Sequence, residues 1–213
     1  MKLCIFDLDK TILRINSSFH YYIYLYNNRI LPFSSLFKLF KYYIKYQFFN
    51  LSPKELHNVV FNRFLKGKYL NIISDYVDTY LEKYLSKSFY LPAVLKMQSA
   101  INRKDHVILL SNSPDFLVKK IAEVLKINDY RASTYIVDAK NRLLNIEKVI
   151  DGVEKKKIAL KIAGKMNIKK ENIEVYSDCI WDLPLFDIAN KKVAVNPTKK
   201  LLKHALKNNW EII

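Results

Sequence analysis

The sequence predicts an α/β protein, a parallel sheet whose first strand is followed at once by an all-helical insertion. Three observations predict it. From about residue 90 onward short apolar runs alternate with helical periodicity, the pattern of parallel strands joined by crossover helices. Leu3-Cys4-Ile5-Phe6 is an apolar run of the same kind near the N-terminus. Between the two, residues 16–88 show helical periodicity and no convincing strand.

The elements follow in order. The run at 3–6 stops abruptly at Asp7-Leu8-Asp9, as a buried strand does on reaching a polar strand end. In the helical block, punctuated by Pro32 and Pro53, Ser52-Pro53-Lys54-Glu55 reads as an N-cap, a proline at the first helical position and an acid at the third. A helix runs from Pro92 to about Arg103, then a strand over Val107–Leu110, the turn Ser111-Asn112-Ser113-Pro114, and a helix over 115–126. Residues 133–137 and 142–146 form two strands around Asp138-Ala139-Lys140-Asn141, a hairpin. A helix over 155–166, a strand over 173–176, a short helix near 182–190, a strand over 193–195 and a last helix over 199–208 complete the chain. Because Leu3–Phe6 already belongs to the sheet, residues 1–15 and 89–213 form one α/β core, and 16–88 is an inserted cap.

Composition bounds the function. The 213 residues suffice for one core domain and a modest insertion. No apolar stretch is long enough to span a bilayer, and the N-terminus has neither the apolar region nor the cleavage site of a secretory signal, so a cytoplasmic protein is expected. Cys4 and Cys179 make no disulfide framework and no zinc pattern. His20, His57, His106 and His204 lack metal-ligand spacing and read as ordinary surface or core residues. The 36 basic against 20 acidic residues give a net charge of +16, a field that attracts anions. Few glycines and many Lys, Asn, Ile and Tyr assign much of that excess to an AT-biased genome.

Four elements carry chemistry. In Asp7-Leu8-Asp9-Lys10-Thr11, two acids two positions apart at a strand end can face one site, where they require a compensating cation; a solvated acidic turn is the plainer reading. Ser111, after the second strand, offers a hydroxyl and free backbone amides to an anion, with Asn112 beside it; a helix cap, served by Ser113, is the alternative. Lys155-Lys156-Lys157 opens a helix after Gly152, either as a phosphate-neutralising group or as a solvated face. Asp178 and Asp182, one helical turn apart after another strand, complete an oxygen-rich site of the kind magnesium prefers, against an N-cap role for Asp178. Each is ambiguous alone; their joint order at three neighbouring strand ends points to phosphoryl transfer.

With those motifs in place, the chain resembles the haloacid dehalogenase superfamily, in particular its phosphoserine-phosphatase-like branch. The resemblance rests on FDLDKT at 6–11, LLSNSP at 109–114, GVEKKKIAL at 152–160, YSDCIWDLPLFD at 176–187 and VAVNP at 193–197. It implies a Rossmann-like core with the helical block as its cap, and it implies roles. Asp7 attacks phosphorus to form an aspartyl-phosphate; Asp9 protonates the leaving oxygen and then activates water; Thr11 supports the loop. Ser111, Asn112 and one lysine bind the phosphoryl group. Asp7, the Asp9 carbonyl and Asp178 hold Mg2+, with Asp182 ordering its waters. The family spacing places a leucine four residues after the lysine, here Leu160, which selects Lys156 and leaves Lys155 as the alternative. Lys10 and Ser177 stand where many members have glycine.

The substrate is less legible. Residues 19–49 are aromatic, apolar and basic, and two readings compete. One is a surface resting on anionic lipid at the inner membrane face, suited to a lipid phosphate; the phosphatidylglycerophosphate phosphatases of this branch have a similar motif order. The plainer one is aromatic packing of the cap's own core. The expected partner is a small phosphomonoester, a metabolite or a lipid head group. A noncatalytic protein gripping nucleic acid is the competing class, but the basic residues are scattered and no recognition module is present, so no nucleic acid partner is expected.

Overall fold

The computed structural model describes residues 1–31, 42, 44 and 51–213. A seven-stranded sheet organises them, in the order β4-β3-β2-β1-β5-β6-β7. The strands are β1 (Leu3–Phe6), β2 (His106–Pro114), β3 (Asp129–Val137), β4 (Leu143–Lys148), β5 (Ile173–Ser177), β6 (Lys191–Ala194) and β7 (Glu211–Ile212). All pairings are parallel except β3 with β4, as the alternating pattern predicts.

The first strand is central because it is apolar on both sides. All four residues of β1 are buried, and alternation divides them. Leu3 and Ile5 join one hydrophobic cluster with Ile108, Val175 and Phe186, while Cys4 and Phe6 join another with Leu109 and Tyr176. Phe6 stacks on Tyr176 of β5, ring centroids 4.2 Å apart.

The helices are α1 (Ser17–Asn27), α2 (Pro53–Val60), α3 (Leu70–Ser74), α4 (Val77–Ser88), α5 (Leu91–Asn102), α6 (Asp115–Leu125), α7 (Gly152–Lys165), α8 (Leu183–Phe186) and α9 (Lys199–Lys207). Helices α1–α4 all fall between β1 and β2 in the chain, and no named strand interrupts them among the described residues. The capping box read at Ser52–Glu55 is formed: Ser52 Oγ accepts the Glu55 N–H and the Glu55 carboxylate accepts the Ser52 N–H. The chain leaves and re-enters the sheet region at one place, where Leu13 bridges Phe89. Further along, Gly67 N–H donates to Leu143 O at 2.7 Å and Leu143 N–H to Lys68 O at 2.9 Å. The β3–β4 hairpin is thereby fastened to the segment after α2.

Local departures from the sequence reading have tertiary causes. Strand β2 continues through Ser111–Pro114 because Pro114 is in register with Ser133 of β3. Strand β3 begins at Asp129 because its first half pairs with β2 and its second half with β4. The helix expected over 182–190 shrinks to Leu183–Phe186, and β7 carries no sequence signal strong enough to mark two residues.

Of the aromatic stretch 19–49, residues 19–31 fall among those described, as do 42 and 44; Pro32 and the rest lie outside. Tyr21, Tyr22 and Tyr24 on α1 are buried. Tyr21 meets Tyr80 of α4 edge-on at 5.0 Å. In this part the rings pack a core.

Candidate active site

Parallel strands deliver their ligands at carboxyl ends, and the order β2-β1-β5 makes three such ends neighbours. Asp7 follows β1, its N–H donating to Tyr176 O of β5 at 2.9 Å. Asn112 and Ser113 lie at the end of β2, and Asp178 follows β5. All four line one cleft with Asp9, Lys155 and Asp182.

The turn after Asp7 needs Lys10 at φ 58°, a left-handed conformation that glycine reaches without cost. This accounts for the glycine preference noted at that position. Thr11 Oγ1 makes a long 3.4 Å contact to Asp7 Oδ2.

The lysine that meets Asp7 is Lys155, not the Lys156 selected from the sequence. Its ammonium lies 2.7 Å from Asp7 Oδ1 and 2.8 Å from Asp182 Oδ2. Helix geometry decides the matter: Gly152, Lys155, Ala159 and Ala163 form the buried stripe of α7, at the three- and four-residue spacing of one helical face. Lys156 is turned about 100° away and does not line the cleft. Leu160, the residue that favoured Lys156, is 49% exposed. Gly152 is needed at the head of this stripe, since a Cβ there would lie 2.0 Å from Trp181 O.

Ser111 also differs from the expectation. It is buried, its Oγ accepts the Ser113 N–H at 3.1 Å, and it does not line the cleft. Ser113, read as a helix cap, instead donates its hydroxyl to Asp9 Oδ2 at 2.5 Å. Asp9 Oδ1 accepts the Ser17 N–H at 2.7 Å, so the first turn of α1 is tied to this carboxylate. Ser18 Oγ and Ser113 Oγ are 2.8 Å apart. Asp182 is held by Lys155 and by Ser177 Oγ at 2.6 Å.

His57, taken as an ordinary residue, lines the cleft. Its Nδ1 is 3.1 Å from Asn112 Oδ1 and its Nε2 2.8 Å from the Tyr135 hydroxyl. A neutral ring satisfies both partners if Nδ1–H donates and Nε2 accepts. Burial lowers the His57 pKa to about 4, which keeps the ring neutral. Asn112 Nδ2 is then left buried without a hydrogen-bond partner among the described residues, a donor awaiting an acceptor. No sequence signal joins His57 to Asn112 and Tyr135; the stripe Gly152, Ala159, Ala163 was a legible pointer to Lys155.

Four carboxylates, Asp7, Asp9, Asp178 and Asp182, share the cleft with the buried Lys155 ammonium, which contacts Asp7 and Asp182. Burial pushes Asp7 up, opposed by Lys155 and reinforced by Asp182. Burial and then the Asp7 charge push Asp178 well up. Burial raises Asp9, against the hydrogen bonds from Ser113 and Ser17. Burial opposes the charge on Lys155, but Asp182 and Asp7 outweigh it and hold the ammonium protonated. Among the described residues no three His, Cys, Asp or Glu side chains form a ready-made metal cage. The Asp7 and Asp178 carboxylates, in a cleft where acids outnumber cations, are nonetheless hard-oxygen groups, the donor chemistry a divalent cation such as magnesium takes.

Residues 4–187 match the haloacid dehalogenase-like hydrolase family. The chain belongs to that family. No curated protein sequence matches this hydrolase. Its fold is shared by a Bordetella pertussis Tohama I protein of unknown function, 18% identical, TM-score 0.83, covering 99% of this chain and 97% of that one. A Salmonella enterica serovar Typhi HAD family hydrolase aligns with TM-score 0.74 at 17% identity, over 99% of this chain and 66% of its own. A substrate-bound phosphoserine phosphatase complex gives TM-score 0.70 at 19% identity, over 97% of each chain.

Proposed function

We propose that this hydrolase is a magnesium-dependent phosphomonoesterase working through an aspartyl-phosphate on Asp7. One observation carries the reading: a buried ammonium, Lys155, lies against the Asp7 carboxylate while a second carboxylate, Asp9, is held on separate donors in the same cleft. Nucleophile, neutralising charge and acid are thus three distinct groups. The fold shared with phosphoserine phosphatases supports the same reading.

Asp7 attacks phosphorus, forming the acyl-phosphate bond as the bond from phosphorus to the ester oxygen breaks. Oδ2 is the freer oxygen for this, since Oδ1 is engaged by Lys155. Asp9, raised by burial, gives its proton to the leaving oxygen. In the second half Asp9 takes a proton from water, the water oxygen bonds to phosphorus, the bond to Asp7 breaks and inorganic phosphate leaves. Lys155 and the Asn112 amide offset the phosphoryl charge throughout. Asp7, Asp178 and the Asp9 carbonyl would hold Mg2+, which when bound supplies positive charge between nucleophile and phosphate.

The division into a core of 1–15 and 89–213 and a cap of 16–88 belongs to this proposal, as does a cytoplasmic enzyme in peripheral contact with anionic membrane. No helix among the described residues is long and apolar enough to cross a membrane.

The test is phosphate release from an aryl phosphate with and without EDTA, in wild type and Asp7→Asn. Metal-dependent turnover that Asp7→Asn abolishes is expected. Salt-sensitive DNA binding with no turnover would overturn the reading and favour a noncatalytic role.

A further inference from the structure

The catalytic cleft does not end at the phosphate site. It continues from Asp9 and Asn112 between α1, α2 and α6, where Tyr22, Leu25, Leu56, Val60, Ile73 and Phe116 line it. The charged groups on the cleft wall are Asp7, Asp9, Lys10, Asp151, Lys155, Asp178 and Asp182. All of these lie outside the inserted segment. From that segment, the described residues on the wall are uncharged: aliphatic and aromatic side chains, Asn16, Ser18 and His57. His57 adds no charge as the neutral tautomer, Nδ1–H donating to Asn112 Oδ1 and Nε2 accepting from the Tyr135 hydroxyl, the form that burial favours.

Among the described residues of the inserted segment, a leaving group that carries an amine or a carboxylate would meet no counter-charge, and burying either without a partner is costly. An apolar group gains from the same wall. The whole cleft, phosphate end included, has a cavity volume of about 170 Å³, and an apolar cavity of roughly 150 Å³ takes a benzene ring, so the part beyond the phosphate is small. The space beside the phosphate therefore suits a short run of methylenes.

We infer that the substrate is a phosphomonoester whose leaving group is uncharged and apolar next to the ester oxygen, seated between α1, α2 and α6. This rests on the phosphomonoesterase reading above and sharpens it. The same chemistry is offered by a free alkyl phosphate and by a lipid carrying a terminal phosphate.

The experiment is a chain-length series, methyl, butyl and hexyl phosphate, with phosphoserine alongside and phosphatidic acid in phosphatidylcholine vesicles as a separate arm. For wild type, kcat/KM is expected to rise roughly two- to fourfold per added methylene until the slot is filled, with hexyl phosphate at least tenfold ahead of phosphoserine. Leu56→Lys, which puts a cation on the wall, is expected to lower the hexyl-to-phosphoserine ratio at least tenfold, while Leu56→Met keeps it. Faster turnover of the vesicle lipid than of hexyl phosphate assigns the slot to lipid, and the reverse assigns it to a free amphiphile; either supports the inference. Equal turnover of methyl and hexyl phosphate, or a preference for phosphoserine, overturns the apolar slot and leaves the phosphatase standing. No turnover of any ester overturns both.

Discussion

Lys155 Nζ sits 2.7 Å from Asp7 Oδ1 although 148 positions separate the two residues in the chain. The residue after β1 and the first turn of α7 make the contact, and the adjacent lysine is excluded from it by helix geometry. Lys155→Met should therefore cut kcat/KM by roughly 10²- to 10³-fold, the usual loss for one charge-stabilising donor. Lys156→Met should stay within about twofold. Steady-state kinetics on both variants checks this, and equal losses would show that the pairing with Asp7 does not matter.

Ser113 acts on Asp9 through one hydrogen bond, and its donation favours the ionised carboxylate. Removing it in Ser113→Ala should raise the Asp9 pKa further. On the proposed role of Asp9 as the first-step acid, the alkaline limb of kcat/KM should move upward, by about one pH unit for a bond to a charged acceptor. A uniform loss of rate with no movement of that limb would assign Ser113 a purely structural part.

His57 couples stability to pH. Its folded pKa, about 4, lies below the ordinary 6.5, so the unfolded chain binds the proton more readily. The stabilisation is complete above about pH 6.5 and is lost as pH falls toward 4, on the order of 3 kcal/mol in all. Asp7 and Asp178 are raised and run the opposite way, gaining stability as pH falls. The comparison of wild type with His57→Gln isolates the histidine. Their difference in unfolding free energy should shrink between pH 7 and pH 4, and a constant difference would contradict the buried neutral ring.

Gly152 sets how closely α7 approaches the loop carrying Asp182. In Gly152→Ala the new Cβ would collide with Trp181 O, a main-chain atom. The helix start must shift, taking Lys155 with it. We expect a loss of about 1–3 kcal/mol in stability, the usual range for overpacking, together with a fall in kcat greater than tenfold. Denaturant melts and initial rates measure the two effects separately.

By itself the sequence determined the parallel sheet, the run of helices after β1, the capping box at Ser52 and the family. These depend on local periodicity and on groups that neighbouring strand ends must present together. It left open which lysine faces Asp7, since Lys155 and Lys156 differ only in the face of a helix they occupy, and the exposed Leu160 favoured the wrong one. Tertiary structure alone made Ser113 a partner of Asp9 rather than a helix cap, and joined His57 to Asn112 and Tyr135 across 55 and 78 positions. The reason is physical. Periodicity records which side of an element is buried, whereas a hydrogen bond between distant elements depends on how those elements meet in space.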